Sequence, residues 1–163
     1  MCGIFAYIGS RPAVNVIVTG LKKLEYRGYD SIGISTIDDK LHTFKCVGKV
    51  SMLEERISDK KMAGKVGIGH TRWATHGEPN EINAHPHLDK NNKISLVHNG
   101  IIENYRELRE TLEKEGFVFR SQTDSEVVVH LVAKYFAKTN NIENAFIQAI
   151  KHLEGTYAIC LIS

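Results

Sequence analysis

The chain has few of the features that mark secreted, membrane or nucleic-acid-binding proteins. Its three cysteines, Cys2, Cys46 and Cys160, are odd in number and widely spaced, which excludes a disulfide framework and a Cys-x-x-Cys metal knuckle. The net charge is only +2, and no run of lysine or arginine exceeds two residues, so a nucleic-acid or anionic-membrane partner is not expected. No apolar run approaches the roughly 18 residues of a membrane span, and no basic segment followed by an apolar one opens the chain. We therefore expect a cytoplasmic protein.

The remaining composition is that of an ordinary folded domain. The 163 residues are 42% hydrophobic and 25% charged, which is enough for a core of useful size. Repeats, low-complexity stretches and linkers are missing, so no internal domain boundary is expected. Strand-like and helix-like segments alternate, which indicates an α/β or α+β fold with helices packed on sheet faces.

Local patterns predict the elements that carry the polar motifs. The predicted strands among them cover 66–70, 93–98 and 156–163. A helix over 103–115 should be followed at its C-terminus by Gly116. Thr123 and Glu126 have the spacing of a capping box that opens the next helix, and Gly155 is predicted to close the last one.

Cys2 is the candidate nucleophile. If an aminopeptidase removes Met1, Cys2 carries a thiol and a free α-amine on one residue, and the amine can accept the thiol proton. An α-amine titrates at about pH 7.7–8.0, which suits a general base at neutral pH. Gly3 leaves the neighbouring backbone uncrowded. The alternative is an ordinary half-buried cysteine near a chain start.

The segment from His70 to Pro79 is the densest in polar side chains and follows a predicted strand. Arg72 offers a planar guanidinium suited to a carboxylate, and Thr75 and His76 add polar contacts. Trp73, the only tryptophan, is suited to be an apolar lid. The alternative is a solvated arginine, a core tryptophan and a surface histidine.

A metal site is considered at His85 and His87, because other histidines lie nearby in the sequence. No carboxylate or cysteine has a spacing that would complete such a site, and an intervening proline fits no standard zinc pattern. We expect the two histidines to form the wall of a loop.

Two further positions each allow two interpretations. Asn99-Gly100 is the leading two-residue hairpin turn, which local sequence favours, but the Asn99 amide and the Gly100 N–H could also form an oxyanion hole. Asp124 stands at a helix start, where an acidic residue interacts well with the helix dipole. It could instead be the counter-charge for a ligand ammonium group, with Arg72 taking the carboxylate of the same α-amino acid.

Six separated motifs occur in one order along the chain. They are Cys2-Gly-Ile-Phe5, Tyr26-Arg-Gly-Tyr-Asp-Ser31, His70-Thr-Arg-Trp-Ala-Thr-His-Gly-Glu-Pro79, Ala84-His-Pro-His87, His98-Asn-Gly-Ile-Ile-Glu-Asn104 and Thr123-Asp124. Together they resemble the glutaminase domain of the glucosamine-6-phosphate synthase family, a branch of the class II glutamine amidotransferases. Segments 26–30 and 72–76 favour this branch, since asparagine synthetases and purine-pathway amidotransferases more typically carry Arg-Gly-Pro-Asp or Arg-Tyr-Ser-Thr there.

The resemblance implies an α+β fold of the N-terminal-nucleophile hydrolase type. This is a four-layer α/β/β/α sandwich whose two sheets are mainly antiparallel. Residues 1–163 would form a partial glutamine amidotransferase type 2 domain, truncated on its C-terminal side, with the sugar-isomerase region absent. Strand edges and apolar surface would then be left uncovered.

The resemblance also implies catalytic and substrate-binding roles. Cys2, after loss of Met1, would attack the side-chain amide of glutamine, and Asn99 and Gly100 would stabilise the oxyanion. The γ-glutamyl thioester would then be hydrolysed to glutamate. The residues that hold the α-carboxylate and α-amine of glutamine would be Arg72, Thr75, His76, Gly100 and Asp124.

Supporting roles and partners follow from the same resemblance. Arg27 would lie close to the nucleophile, Trp73 would gate the passage of ammonia, and His85 would lie in a loop near a partner domain. No metal or organic cofactor is expected. The implied partners are L-glutamine, the sugar-isomerase region of the same or a partner chain, and other copies in a homo-oligomer.

Two alternatives to a glutaminase stay open at this point. The chain could be a non-catalytic module that binds glutamine or regulates a separate sugar-isomerase chain. It could also be a class II amidotransferase with a different ammonia acceptor.

Overall fold

The computed structural model describes residues 2–60, 62–74 and 77–163. Its elements in chain order are β1 (Gly3–Ile8), α1 (Ala13–Leu24), a 3-10 turn (Glu25–Arg27), β2 (Ser31–Ile37), β3 (Leu41–Val47), α2 (Val50–Ile57), β4 (Val66–Arg72), β5 (His87–Leu88), β6 (Ser95–Ile102), α3 (Tyr105–Lys114), α4 (Ser125–Thr139), α5 (Ile142–Ile150) and β7 (Gly155–Ile162). Across these ranges, none of the helices combines the length and the apolar character that crossing a membrane requires.

Two antiparallel sheets form the centre of the fold. The first has the strand order β1-β4-β2-β3 and the second the order β5-β6-β7. One apolar cluster joins α1 and α2 to the first sheet, and another joins α3, α4 and α5 to the second. Ile68, Val97 and Ile162 form a third cluster between the sheets. The predicted four-layer α/β/β/α sandwich is therefore confirmed.

Alternation along β4 decides which of its side chains face the second sheet. A Cβ added to Gly69 would lie 2.5 Å from the side chain of Ile17, so this side of the strand is pressed against α1. Successive side chains of a strand point to opposite faces. Ile68, His70 and Arg72 therefore point towards the space between the sheets.

The same alternation in β6 separates two sets of polar groups. Leu96 belongs to the cluster under the helices, and His98 on the same face bonds to Ser125 of α4. Val97 belongs to the cluster between the sheets, and Asn99 shares its face. The Asn99 side chain is thus directed towards the end of β1 next to Cys2.

Small residues on β2 let the loop before β5 enter the space between the sheets. A Cβ on Gly33 would lie 2.1 Å from the carbonyl oxygen of His85, so only glycine fits at that position. Ser35 on the same face is also small, and its hydroxyl bonds to that of Ser95 in β6 at 2.7 Å. The loop that carries His85 is thereby brought close to the polar end of β4.

The predicted capping box at the start of α4 is wrong. The helix begins one residue later, with Asp124 at the N-cap position and no side-chain cap. The Glu126 carboxylate instead accepts hydrogen bonds from the N–H and hydroxyl of Ser121, both at 2.6 Å. The Thr123 hydroxyl contacts His87 at 2.9 Å. Both side chains are used by tertiary contacts rather than by the helix end.

The two predicted helix-terminal glycines have different outcomes. Gly116 follows α3 with a φ of +89°, as predicted. Gly155 does not close a helix, because α5 ends at Ile150 and Gly155 begins β7. Its φ is +122°, and an added Cβ would lie 2.2 Å from the carbonyl oxygen of Ile101. The close approach of β6 is what requires glycine here.

Candidate active site

Cys2 directly precedes β1 and lies beside the backbone segment that follows β4. Its Sγ accepts a hydrogen bond from the N–H of Trp73 at 3.2 Å and lies 3.5 Å from the carbonyl oxygen of the same residue. The backbone N–H of Trp73 thus fixes the position of the sulfur. The side chain is only half-buried, so a substrate can approach the sulfur.

Asn99 connects this cysteine to the second sheet. Its Nδ2 donates to the carbonyl oxygen of Cys2 at 3.2 Å, and its Oδ1 lies 2.8 Å from Nε2 of His70. An amide nitrogen carries two N–H groups. One is used by Cys2, which leaves the other as a donor for a ligand oxygen beside the thiol.

Gly100 follows within β6, and the hairpin turn that local sequence favours at Asn99-Gly100 is therefore wrong. The strand continues through both residues to Ile102 and pairs with β7 along its full length. Gly100 has a φ of +120°, and an added Cβ would lie 2.0 Å from the carbonyl oxygen of Thr156. Long-range pairing with a strand more than fifty residues later overrides the local preference for a turn.

Arg72 provides a fixed positive charge in the wall of the site. Its side chain is 4% exposed, and its guanidinium donates to the carbonyl oxygens of Gly77 and Glu78 at 3.2 and 3.3 Å. Burial lowers the pKa of Arg72, and the nearby Cys2, Asp30 and Asp124 oppose that change by favouring the cation. The guanidinium stays charged and is positioned by the turn that follows it.

Asp124 provides the opposite charge. Its carboxylate is 5% exposed and accepts hydrogen bonds from the N–H of Ile102 at 2.8 Å and from the Ser125 hydroxyl at 3.3 Å. These bonds fix the carboxylate at the junction of β6 and α4. A buried carboxylate held in this way is suited to pair with an ammonium group.

One cavity of about 30 Å³ brings most of the predicted site residues together. Seven of them line it: Cys2, Arg72, Trp73, His85, Asn99, Gly100 and Asp124. The predicted ligand-binding residues Thr75 and His76 lie outside the described residues.

Arg27 lies on the other side of the nucleophile. It shares a second cavity, of about 290 Å³, with Cys2, Asn99 and Cys160 of β7. The predicted closeness of Arg27 to the nucleophile thus corresponds to a shared cavity wall. Cys46, in contrast, is buried in the core under α2, where it packs as a small apolar residue.

The motif at 26–31 supports the backbone around the thiol. The Asp30 carboxylate accepts the N–H of Ala74 at 2.7 Å, and the Asp30 N–H donates to the carbonyl oxygen of Arg72 at 3.1 Å. The Tyr29 ring meets the Trp73 ring edge-on with centroids 5.5 Å apart. Trp73 itself is 44% exposed, so it lies at the rim of the site and not in the core.

Four histidines form a buried group at the cavity: His70, His85 and His98 line it, and His87 lies beside them. The rings of His70 and His85 stack with centroids 4.2 Å apart, and His87 meets His85 at 4.6 Å. Burial lowers the pKa of His70 to about 4 and that of His87 to about 3. Among the described residues, no group of three or more His, Cys, Asp or Glu side chains is placed to hold a metal ion.

None of the roles predicted from the sequence falls on His70, His98 or Ser125. The signal for His70 was present, because strand alternation places it on the same face as Arg72. Nothing in the sequence could show that Ser125 bonds to His98 at 2.7 Å, since that contact joins two elements twenty-seven residues apart.

One cavity of this four-layer sandwich combines a thiol, an amide donor, a guanidinium and a carboxylate. These are the features of a glutamine amidotransferase. A family model described as a glutamine amidotransferase domain matches residues 70–163. The chain belongs to this family.

Two relatives with the same enzyme name show which members of the family the chain is similar to. Over its whole length the chain is 50% identical to the glutamine–fructose-6-phosphate aminotransferase (isomerizing) of Clostridium acetobutylicum. It is 52% identical over 99% of its length to the enzyme of that name from Pyrococcus horikoshii. In each case the chain spans 27% of the relative's length.

Solved structures confirm the predicted N-terminal-nucleophile hydrolase fold. The glutamine phosphoribosylpyrophosphate amidotransferase of B. subtilis matches all of this chain over 35% of its own, with a TM-score of 0.87 and 28% identity. A structure described as the allosteric regulatory enzyme of purine biosynthesis matches 99% of this chain over 35% of its own, with a TM-score of 0.88 and 30% identity.

Proposed function

We propose that this chain hydrolyses L-glutamine to glutamate and ammonia, as the glutaminase part of a glucosamine-6-phosphate synthase, with residues 1–163 forming part of a type 2 amidotransferase domain. The observation that carries the proposal is the single cavity lined by Cys2, Asn99, Arg72 and Asp124. About 50% identity to glutamine–fructose-6-phosphate aminotransferases, against 28–30% to the purine-pathway structures, supports this branch over one with a different ammonia acceptor.

The substrate is held by two opposite charges in this proposal. Arg72 takes the α-carboxylate of glutamine and Asp124 takes its α-ammonium group, with further contacts from Thr75, His76 and Gly100. Pairing a fixed cation with a fixed carboxylate selects an α-amino acid over a neutral amide.

The reaction begins once Met1 has been removed and Cys2 has a free α-amine. The amine accepts the thiol proton, and the sulfur attacks Cδ of the glutamine side chain, forming the C–S bond. The Asn99 amide and the N–H of Gly100 stabilise the negative charge on the former carbonyl oxygen. When the C–N bond breaks, the leaving nitrogen takes the proton from the amine and departs as ammonia. A γ-glutamyl thioester on Cys2 remains.

Water completes the cycle. The α-amine removes a proton from a water molecule, which attacks the thioester carbonyl. The C–S bond breaks, glutamate leaves, and the thiol regains its proton from the amine. No oxidation occurs in either half, so the proposed reaction needs no redox cofactor.

The ammonia would serve a sugar-isomerase region of the same or a partner chain, in a homo-oligomeric enzyme. There it would convert fructose 6-phosphate to glucosamine 6-phosphate. Trp73 at the rim of the site would gate its passage, and His85 would support the loop that faces the partner domain. Arg27 would close the opposite side of the nucleophile. The exposed position of Trp73 beside the thiol supports its role.

The test measures glutamate and ammonia release from glutamine by the chain, after mass spectrometry has verified that Met1 is absent. We expect equal amounts of the two products from the unsubstituted chain and none from Cys2→Ala. Cys160→Ala is the matched control, because Cys160 lines the neighbouring cavity but has no role in the proposed chemistry. Product release that persists in Cys2→Ala contradicts the proposal. Glutamine binding without any product would identify a non-catalytic module instead.

A further inference from the structure

His70 occupies a position that the proposed chemistry has not used. Its side chain is 1% exposed, lies between the two sheets and lines the same cavity as Cys2. Nε2 is 2.8 Å from Oδ1 of Asn99 and 3.1 Å from the carbonyl oxygen of His98. Both neighbours of this nitrogen are therefore oxygen atoms that can only accept a hydrogen bond.

This contact pattern fixes the tautomer of His70. A lone pair on Nε2 would face two acceptor oxygens, whereas an N–H on Nε2 can be shared between them. Nδ1 has no hydrogen-bond partner in the described part of the chain, so a proton placed there would be unsatisfied. Burial lowers the pKa of His70 to about 4, so the ring is neutral at pH 7. His70 is thus a single-proton donor at Nε2.

The ring itself has little freedom to turn away. His85 stacks on it with centroids 4.2 Å apart. His85 is held in turn, because its Nδ1 accepts the backbone N–H of His98 at 3.1 Å. The position of His70 in β4 and its stacking against His85 in the loop before β5 therefore hold the Nε2 donor towards Asn99.

The direction of the Asn99 amide depends on this donor. In the observed orientation Oδ1 accepts from His70 and Nδ2 donates to the Cys2 carbonyl oxygen at 3.2 Å. Half a turn of the amide would place Oδ1 against the Cys2 carbonyl oxygen and the amide N–H groups against the N–H of His70. Both hydrogen bonds would be lost, and an oxygen would face the thiol side of the cavity.

We propose that His70 is a positioning residue of the glutaminase reaction, which holds the Asn99 amide with its nitrogen towards the forming oxyanion. This inference rests on the proposed function, since it is the attack on glutamine that makes the direction of the amide matter. His70 does not contact the reacting atoms in this account and acts through Asn99 alone.

The test compares three variants of the full chain by steady-state kinetics with glutamine. His70→Leu removes the donor, and we expect kcat to fall by about 100-fold, the effect of losing one oxyanion donor, while KM changes little. His70→Gln keeps an N–H at the distance of Nε2 and should restore most of kcat. His70→Asn keeps a donor that is too short to reach Asn99 and should not restore it.

A double variant separates positioning from a general structural role. In an Asn99→Ala background, His70→Leu should lower kcat no further, because the group through which His70 acts is already gone. Thermal melting of each variant identifies any that fail to fold, and the rescue by Gln against the failure of Asn is judged among folded variants. Independent, multiplied losses in the double variant, or equal kcat in His70→Leu and the unsubstituted chain, would overturn the inference.

The same measurements distinguish this inference from the function on which it rests. If the unsubstituted chain without Met1 releases no glutamate, the proposed function fails and the role of His70 falls with it. If the unsubstituted chain is active and His70→Leu keeps its kcat, only the positioning role fails.

Discussion

Substituting Gly100 by alanine tests how the fold and the site depend on each other. Gly100 lies in the C-terminal half of β6, beside Asn99, with a φ of +120°. An added Cβ would lie 2.0 Å from the Thr156 carbonyl oxygen and 2.9 Å from Cα of Tyr157. Both atoms are backbone atoms of β7, so no side-chain rotation can relieve the clash.

The expected loss of stability has two parts. Holding an L-residue at such a φ costs about 1–3 kcal/mol. Forcing an extra carbon against a packed strand costs about 1–3 kcal/mol more. We therefore expect Gly100→Ala to lower the free energy of unfolding by about 2–6 kcal/mol, a large share of the roughly 5–15 kcal/mol of a typical domain.

The assay is equilibrium urea unfolding of the chain, with glutamate release measured on the same samples. Gly116→Ala is the matched control, because Gly116 has a φ of +89° but an added Cβ there meets nothing within 4 Å. The control should lose only the conformational part, about 1–3 kcal/mol. If both variants unfold at the same urea concentration, and Gly100→Ala still releases glutamate at the normal rate, the reasoning about this strand pair is refuted.

Three further predictions concern the site. Asn99→Ala should lower kcat by about 100- to 1,000-fold with little change in KM, because it removes an oxyanion donor. An effect confined to KM would contradict that role. Arg72→Lys should raise KM for glutamine more than it lowers kcat, since lysine loses the bidentate contact to a carboxylate; initial rates over a range of glutamine concentrations check this. Burial holds the pKa of His70 near 4 and of His87 near 3 against an ordinary 6.5, so the unfolded chain binds more protons below that pH. The contribution of His70 to the free energy of unfolding should therefore be constant above about pH 6.5 and fall by about 3 kcal/mol as the pH drops to 4. Urea titrations at several pH values that show no such fall refute the buried, neutral state.

Elements whose pattern is set within one segment could be predicted from the sequence. The alternation over 66–70 predicted a strand, and β4 follows it and continues to Arg72. Gly116 after α3 was also correct, because a left-handed C′ residue is decided by the helix end next to it.

Elements decided by distant partners could not be predicted in this way. Asn99-Gly100 has the local signature of a turn, yet pairing with Ala158 and Tyr157 of β7 keeps the chain extended there. Glu126 has the spacing of a capping box, but its carboxylate is used by Ser121. In each case the deciding contact comes from another element.

The candidate site likewise combines residues that could be predicted from the sequence with a contact that could not. Residue types and their order indicated Cys2, Arg72, Asn99 and Asp124 through a family resemblance, and the structure places all four around one cavity. The contact of His70 with Asn99 joins residues twenty-nine positions apart on different sheets, and no local pattern reports it.

Everything proposed for this site depends on Cys2, freed of Met1, being the nucleophile that attacks glutamine. The most direct measurement is intact and peptide mass spectrometry after incubation with a glutamine-mimicking diazoketone, with and without excess glutamine. We expect one adduct on Cys2 in chains that lack Met1, and its disappearance when glutamine is in excess. An unlabelled Cys2 in chains that lack Met1, or labelling at Cys46 or Cys160 that glutamine does not prevent, would contradict it.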